Sequence, residues 1–187
     1  QPVYIADYPH LGVYACRILV PGMSDIYPAE DLLIANNNMG AGLREAVLAL
    51  PESQGSRDEY MAFYEMLDEE GFDDRTRVRE LIGLAADKNS GWYTLRIGEL
   101  KSLLALAAGE LATALEWVNW TLEFNATVFT ADRANFFRCL KASLELHLAT
   151  EREPAAYRPA FDRMFGTDTV ADVWSHITGK SRFFGLL

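Results

Sequence analysis

The segment from Gly109 to Asn125 has so little polar surface that it cannot stand as an isolated helix. On a helical wheel of about 100° per residue, Leu111, Ala114, Leu115, Val118 and Leu122 share one face, and Trp117, Trp120 and Phe124 form a second. Only Glu116, Asn119 and Glu123 remain as a narrow polar arc. A helix apolar on two sides must be covered by neighbours on both, which is the position of a middle helix in a stack.

The same run reads as the turn and second helix of a tetratricopeptide repeat. In that pattern a Gly closes the first helix, small Ala residues let the second pack against it, and a helix-ending residue follows. Gly109, Ala114 and Asn125 fall in this register. Aligning backward puts Gly98 and Ala105 where the repeat usually has Trp and Tyr, so one repeat is recognisable and its neighbours are divergent. An ordinary buried bundle helix is the alternative reading of this segment.

The rest of the chain supplies such neighbours. Ser56 with Glu59 three residues on is a capping-box signature, starting a helix that Gly71 stops, with Tyr60, Phe63, Tyr64 and Leu67 as its stripe. Further helices are expected over 74–86, 92–107, 110–124, 131–149 and 154–164, with a short one over 171–176. The helix over 131–149 repeats the two-sided pattern: Phe136, Phe137, Leu140 and Leu144 on one face, Cys139, Ala142 and Leu146 on another, and Arg138, Lys141 and Glu145 as the polar arc. Near the N-terminus, 13–20 reads as a single strand, apolar on both faces and ended by Pro21-Gly22. Pro28 opens a helix with Glu30 and Asp31 in its first turn, loosened by Asn36, Asn37, Asn38 and Gly40 before 43–48 resumes. A lone strand cannot satisfy its own backbone groups, and the chain starts with Gln1, so a piece of a longer protein is expected. The fold class is therefore mostly α: a tetratricopeptide-like antiparallel array, or α-solenoid, with one N-terminal β segment.

Charge restricts function. The 187 residues carry a formal net charge of -10, which disfavours direct contact with nucleic acid or anionic lipid. No stretch approaches a membrane span, and Cys16 and Cys139 have no paired ligand spacing, so neither a metal knuckle nor a disulfide framework is expected. A cytoplasmic setting follows.

Motifs of chemistry are sparse. Gly179-Lys180-Ser181 resembles the end of a phosphate-binding loop, but Trp174 stands where the loop needs Gly. Ser24 lacks a nucleophile frame, and His10 and His176 have no partners at ligand spacing. His147 reads as a core histidine. Asp68, Glu69, Glu70, Asp73 and Asp74 surround Gly71-Phe72 at a helix junction, where Asp73 or Asp74 is expected as an N-cap and Arg75, Arg77 and Arg79 as local neutralisers. An enzymatic reading would need Asp73, Asp74, Arg77 and His147 to converge in one cleft. Ending on Phe183-Phe184-Gly185-Leu186-Leu187 leaves apolar residues without evident cover, an expected interface.

The run Gly12-Val13-Tyr14-Ala15-Cys16-Arg17-Ile18-Leu19-Val20-Pro21-Gly22-Met23-Ser24-Asp25-Ile26-Tyr27-Pro28 resembles the closing segment of the YcaO catalytic domain, whose last strand commonly ends in Val-Pro-Gly. The runs from Ala35 to Gly40, Asp68 to Asp74 and Gly91 to Lys101 are similar to the C-terminal extension of the enteric type of that family. The resemblance implies that 1–50 closes a catalytic domain and 56–187 is the tetratricopeptide-like helical domain. It also implies a parent that binds ATP and magnesium through residues upstream, so no cofactor-binding, metal-binding or catalytic residue is carried onto this chain. The parent would assist the radical enzyme that β-methylthiolates a ribosomal protein. This chain would then be a scaffold and interaction module, used in homodimerisation or in docking the methylthiotransferase or its ribosomal client. Arg96, Glu99, Arg138 and Lys141 are the candidate partner-binding residues, as polar positions on first helices; a purely structural cap is the other reading.

Overall fold

A computed structural model describes residues 3–7, 16–20, 40–125, 127–149 and 153–186. The chain divides into two units, residues 1–39 and 40–187. In the first, β1 (Tyr4–Asp7) pairs antiparallel with β2 (Cys16–Leu19), in a register that sets Tyr4 against Leu19 and Ile5 against Ile18. The strand expected over 13–20 is thus not alone. Its partner was hidden because four residues carry too little alternation to register as a strand. The turn at Pro21-Gly22, the helix opened by Pro28, His10 and Ser24 lie outside the described residues.

The second unit is helical: α1 (Arg44–Ala49), α2 (Arg57–Glu69), α3 (Val78–Leu81), α4 (Gly91–Thr94), α5 (Ile97–Ala108), α6 (Leu111–Asn125), α7 (Ala131–Leu148), α8 (Arg158–Phe165) and α9 (Thr167–Ile177). The helix α1, expected with the first fifty residues, is tied into this unit. Gly40 N–H donates to the Leu81 carbonyl, and Arg44 donates to those of Ile82 and Gly83. The α2 cap forms as the sequence implies: Ser56 accepts from the Glu59 N–H, and the Glu59 carboxylate accepts from the Ser56 N–H at 2.7 Å. Gly109 closes α5 in the left-handed region at φ 78°, where a side chain is disfavoured.

Two expected helices are broken. The segment over 74–86 yields only α3, and 92–107 splits into α4 and α5 around extended Leu95 and Arg96. The cause is tertiary. Arg77 and Arg96 form an antiparallel bridge, flanked by Val78 N–H to the Leu95 carbonyl and Ile97 N–H to that of Thr76. Periodicity along one segment cannot register such a pairing.

Helix α5 is the centre, with every residue from Ile97 to Leu106 buried. It packs between α2 and α6; α6 then packs on α7, and α7 on α9. Both predicted double-sided helices occupy such middle positions, with Ala114 and Val118 of α6 and Phe137, Cys139 and Leu140 of α7 at 0% exposure. Gly98 is explained by a close approach: a Cβ there would meet the indole of Trp120 at 2.5 Å. The aromatic that the repeat pattern would place on α5 is thus supplied by the facing helix.

Candidate interaction surface

Of the four residues predicted to bind a partner, Glu99 is not on the surface. Its side chain is fully buried in α5, where the Arg133 guanidinium donates to Oε1 and Asn125 Nδ2 donates to Oε2 at 2.8 Å. Burial pushes the Glu99 carboxyl above its ordinary value, and the charge and hydrogen bonds of Arg133, with that of Asn125, pull it only part of the way back. The signal was available, since Glu99 shares its wheel face with Leu103 and Leu106, and Arg133 shares its own with Phe137, Leu140 and Leu144. An acid and a base on two apolar faces are the pattern of an interior pair.

Arg96 is half-buried at the N-terminus of α5 and donates to the Phe124 carbonyl at 3.1 Å. Arg138 is exposed on α7. Lys141, one turn on, donates to Asn119 of α6 at 2.7 Å and lies 3.7 Å from Glu145. That contact joins the polar arcs of α6 and α7 into one surface, on which Arg138 and Lys141 carry the positive charge.

The acidic junction after α2 is organised by a residue that sequence reasoning missed. Lys101, with its side chain 3% exposed, donates to Asp68 at 2.5 Å and Asp74 at 2.8 Å, over the face of Trp117. Burial alone would lower its ammonium, but those two hydrogen bonds and charges outweigh burial and hold it above the ordinary lysine value. Neither aspartate caps a helix: Asp73 accepts from the Arg75 N–H in a turn, and Asp74 faces Lys101. The arginines expected to neutralise them turn elsewhere, Arg77 and Arg79 to Glu80, and Arg75 to the ring of Phe124. His147 Nδ1 donates to the Ser143 carbonyl, 2.7 Å away, and the ring meets Trp174 edge-on. Asp73, Asp74, Arg77 and His147 are therefore each held by different partners.

Phe183, Phe184 and Leu186 are covered by the chain's own core rather than left as an open apolar edge, and Leu187 lies outside the described residues. Phe183 and Leu186 are buried, Phe184 stacks on Phe136 at 3.6 Å, and the Trp92 indole N–H donates to the Leu186 carbonyl. Arg182 donates to Tyr60 Oη, and Arg133 reaches the Phe184 carbonyl. In the Gly179-Lys180-Ser181 turn the N–H groups of Lys180 and Ser181 both go to the Ser175 carbonyl, so they are not turned toward a phosphate. Three cavities, of about 470, 330 and 210 Å³, flank this tail, and Phe184 lines all of them. Among the described residues no group of three or more His, Cys, Asp or Glu could hold a metal ion, and no helix is long and apolar enough to cross a membrane.

A family model for the YcaO cyclodehydratase C-terminal domain matches residues 40–187, and the chain belongs to that family. Over its whole length the chain is 59% identical to the "Ribosomal protein S12 methylthiotransferase accessory factor YcaO" of Escherichia coli (strain K12), of which it spans 32%. It is 54% identical to an "Uncharacterized protein" of Haemophilus influenzae, again spanning 32% of that protein.

Proposed function

We propose that this chain is the non-catalytic interaction and scaffold module of a YcaO-type protein. Its parent would be an ATP- and magnesium-dependent accessory factor in ribosomal protein β-methylthiolation, working in the cytoplasm. The whole-chain identity to an accessory factor carries this reading. The helical unit supports it by holding its interior charges in structural pairs, Glu99 with Arg133 and Lys101 with Asp68 and Asp74. ATP and magnesium belong, in this reading, to the upstream part of the parent, and no residue here is assigned to them. The register of Gly109, Ala114 and Asn125 favours describing α5 and α6 as a tetratricopeptide-like pair within an α-solenoid.

The partner is a protein, the methylthiotransferase or its ribosomal client, and the joined α6–α7 arc is the docking surface. Binding of the full-length parent to the methylthiotransferase tests this. Arg138→Glu with Lys141→Glu should weaken capture by about tenfold, at an unchanged melting temperature. Capture equal to wild type would remove the arc from the docking role.

A second reading, homodimerisation or capping of the catalytic sheet, is favoured by the β1–β2 ladder, where Tyr4, Ile5 and Ile18 are 57%, 66% and 55% exposed. Light scattering of the parent over a concentration series separates the two, because a stable dimer that Ile5→Lys dissociates supports assembly.

A further inference from the structure

The cavity of about 470 Å³ beside the C-terminal tail lies between the linker before α2, the end of α9 and the segment from Gly179 to Gly185. Its charge runs against that of the chain. Lys180 and Arg182 line it, in a molecule of net charge -10, and neither forms an ion pair among the described residues. The one carboxylate in the wall, Asp172, lies 3.2 Å from Nδ1 of His176.

Arg182 is the fixed member of the pair. Its Nη1 donates to Tyr60 Oη at 2.9 Å and to the Gly55 carbonyl at 3.4 Å, both neutral acceptors, and Tyr60 is itself tied to Ser53. Anchoring the tail uses only that one nitrogen, because Nη2 has no protein partner among the described residues. A half-buried cation with neutral partners alone is costly to keep for packing. The guanidinium is thus held in place with its charge uncompensated, and a planar fork in that state suits an oxyanion.

A free ion would use little else of the cavity. Gln54, Ser53 and Ser181 add an amide and two hydroxyls to its wall. The N–H groups of Arg182, Phe183, Phe184 and Gly185, which also line it, have no backbone partner among the described residues. Neutral donors and acceptors beside two cations match an extended peptide that carries an acidic side chain.

We propose that this cavity receives an aspartate or glutamate side chain from an acidic, extended segment of a partner protein, with its carboxylate on Arg182 and Lys180 and its main chain along the tail. The inference rests on the docking reading above and adds a second basic contact to the α6–α7 arc.

The test uses the full-length parent at about 0.15 M salt, where exposed charges more than about 8 Å away are largely screened. A fluorescent peptide of alternating Gly and Glu is read by anisotropy against a Gly and Gln counterpart, which keeps the shape and removes the charge. The glutamate peptide should bind at least about fivefold more tightly. Arg182→Gln should weaken it about fivefold and Lys180→Gln about threefold, and Arg182→Lys, which keeps the charge without the fork, should recover only part of the loss. The control Lys88→Gln with Arg163→Gln removes two exposed cations outside this cavity and should leave binding within about twofold. Equal affinity for the two peptides overturns the proposal, as does a loss in the control pair equal to that in the cavity variants. Inorganic phosphate competing as tightly as the peptide binds would assign the cavity to a free oxyanion and overturn it too. Should Arg182→Gln release the tail, seen as a lowered melting temperature, Lys180→Glu decides, with an expected loss of about tenfold. Methylthiotransferase capture is measured in parallel. Capture that Lys180→Glu leaves unchanged sinks this inference and leaves the docking reading standing, whereas no capture by wild type sinks the docking reading and leaves the peptide result to judge the cavity.

Discussion

Arg133→Met is the perturbation that most directly probes how the unit is held together. Arg133 is 6% exposed, and its guanidinium serves the Glu99 carboxylate, the Phe184 carbonyl and the faces of Phe129, Phe137 and Phe184. Methionine fills much of the same volume but strands Glu99, which is 0% exposed, without a counter-charge. Breaking a buried pair in this way costs about 3–5 kcal/mol, or about 10 °C or more in melting temperature for a chain of this size. Adding Glu99→Gln to the same chain removes the stranded charge and keeps an acceptor for Asn125, so about 2 kcal/mol or more should return.

The pH dependence supplies an independent check. In Arg133→Met the Glu99 carboxyl, already raised by burial, loses the cation that pulls it down. A folded value above the unfolded one, about 4.3, gives stability that is complete below that pH and is lost as pH rises through the folded value. The deficit of Arg133→Met against Arg133→Met/Glu99→Gln should therefore widen from about pH 4.5 toward pH 8 and close in acid. Urea unfolding followed by far-ultraviolet circular dichroism at several pH values reads this directly. A double variant no more stable than the single one at neutral pH, or a deficit independent of pH, would refute the reasoning.

Three smaller outcomes follow from single contacts. A Cβ at Gly91 would fall on the Gly185 carbonyl, so Gly91→Ala should displace the tail, cost about 1–3 kcal/mol, and speed limited proteolysis after α9. Burial pushes the Cys139 thiol up to about 11, whereas Cys16 is exposed; iodoacetamide at about pH 8 should label Cys16 in minutes and Cys139 only on unfolding, as peptide mass mapping would show. The hydrogen bonds of Ser56, backbone first and then side chain, hold the Glu59 carboxyl below its ordinary value; its contribution is present above about pH 4.3 and lost as pH falls, so the stability gap between wild type and Glu59→Gln should close in acid titrations.

What could be read from the chain was whatever one segment decides by itself. The α2 capping box needs four adjacent residues, and the two-sided burial of α6 and α7 needs one wheel each; both appear as expected. The junction at Arg77 and Arg96 was not legible, because its backbone pairing joins residues on two separate segments. Lys101 illustrates the same limit. It looks like a solvated charge on a helix, and only the arrival of Asp68, Asp74 and Trp117 from two other helices and a turn makes it a buried hub. Glu99 differs from Lys101 in this respect: residue type alone made it read as surface like Arg138, but its wheel face, shared with Leu103 and Leu106, marked it as interior.

The interior pairs also decide where function can lie. Once Glu99, Arg133, Lys101, Asp68 and Asp74 are engaged in holding helices together and Arg96 is tied to the Phe124 carbonyl, Arg138 and Lys141 are what remains open of the four predicted binding residues. They sit one turn apart on α7, with Glu145 beside Lys141. A partner that meets this arc has to offer acidic groups to it while approaching a chain of net charge -10. That combination favours a folded protein with surfaces of both signs over a single charged peptide, and it gives a strongly acidic chain a way to select among proteins that its net charge alone would not distinguish.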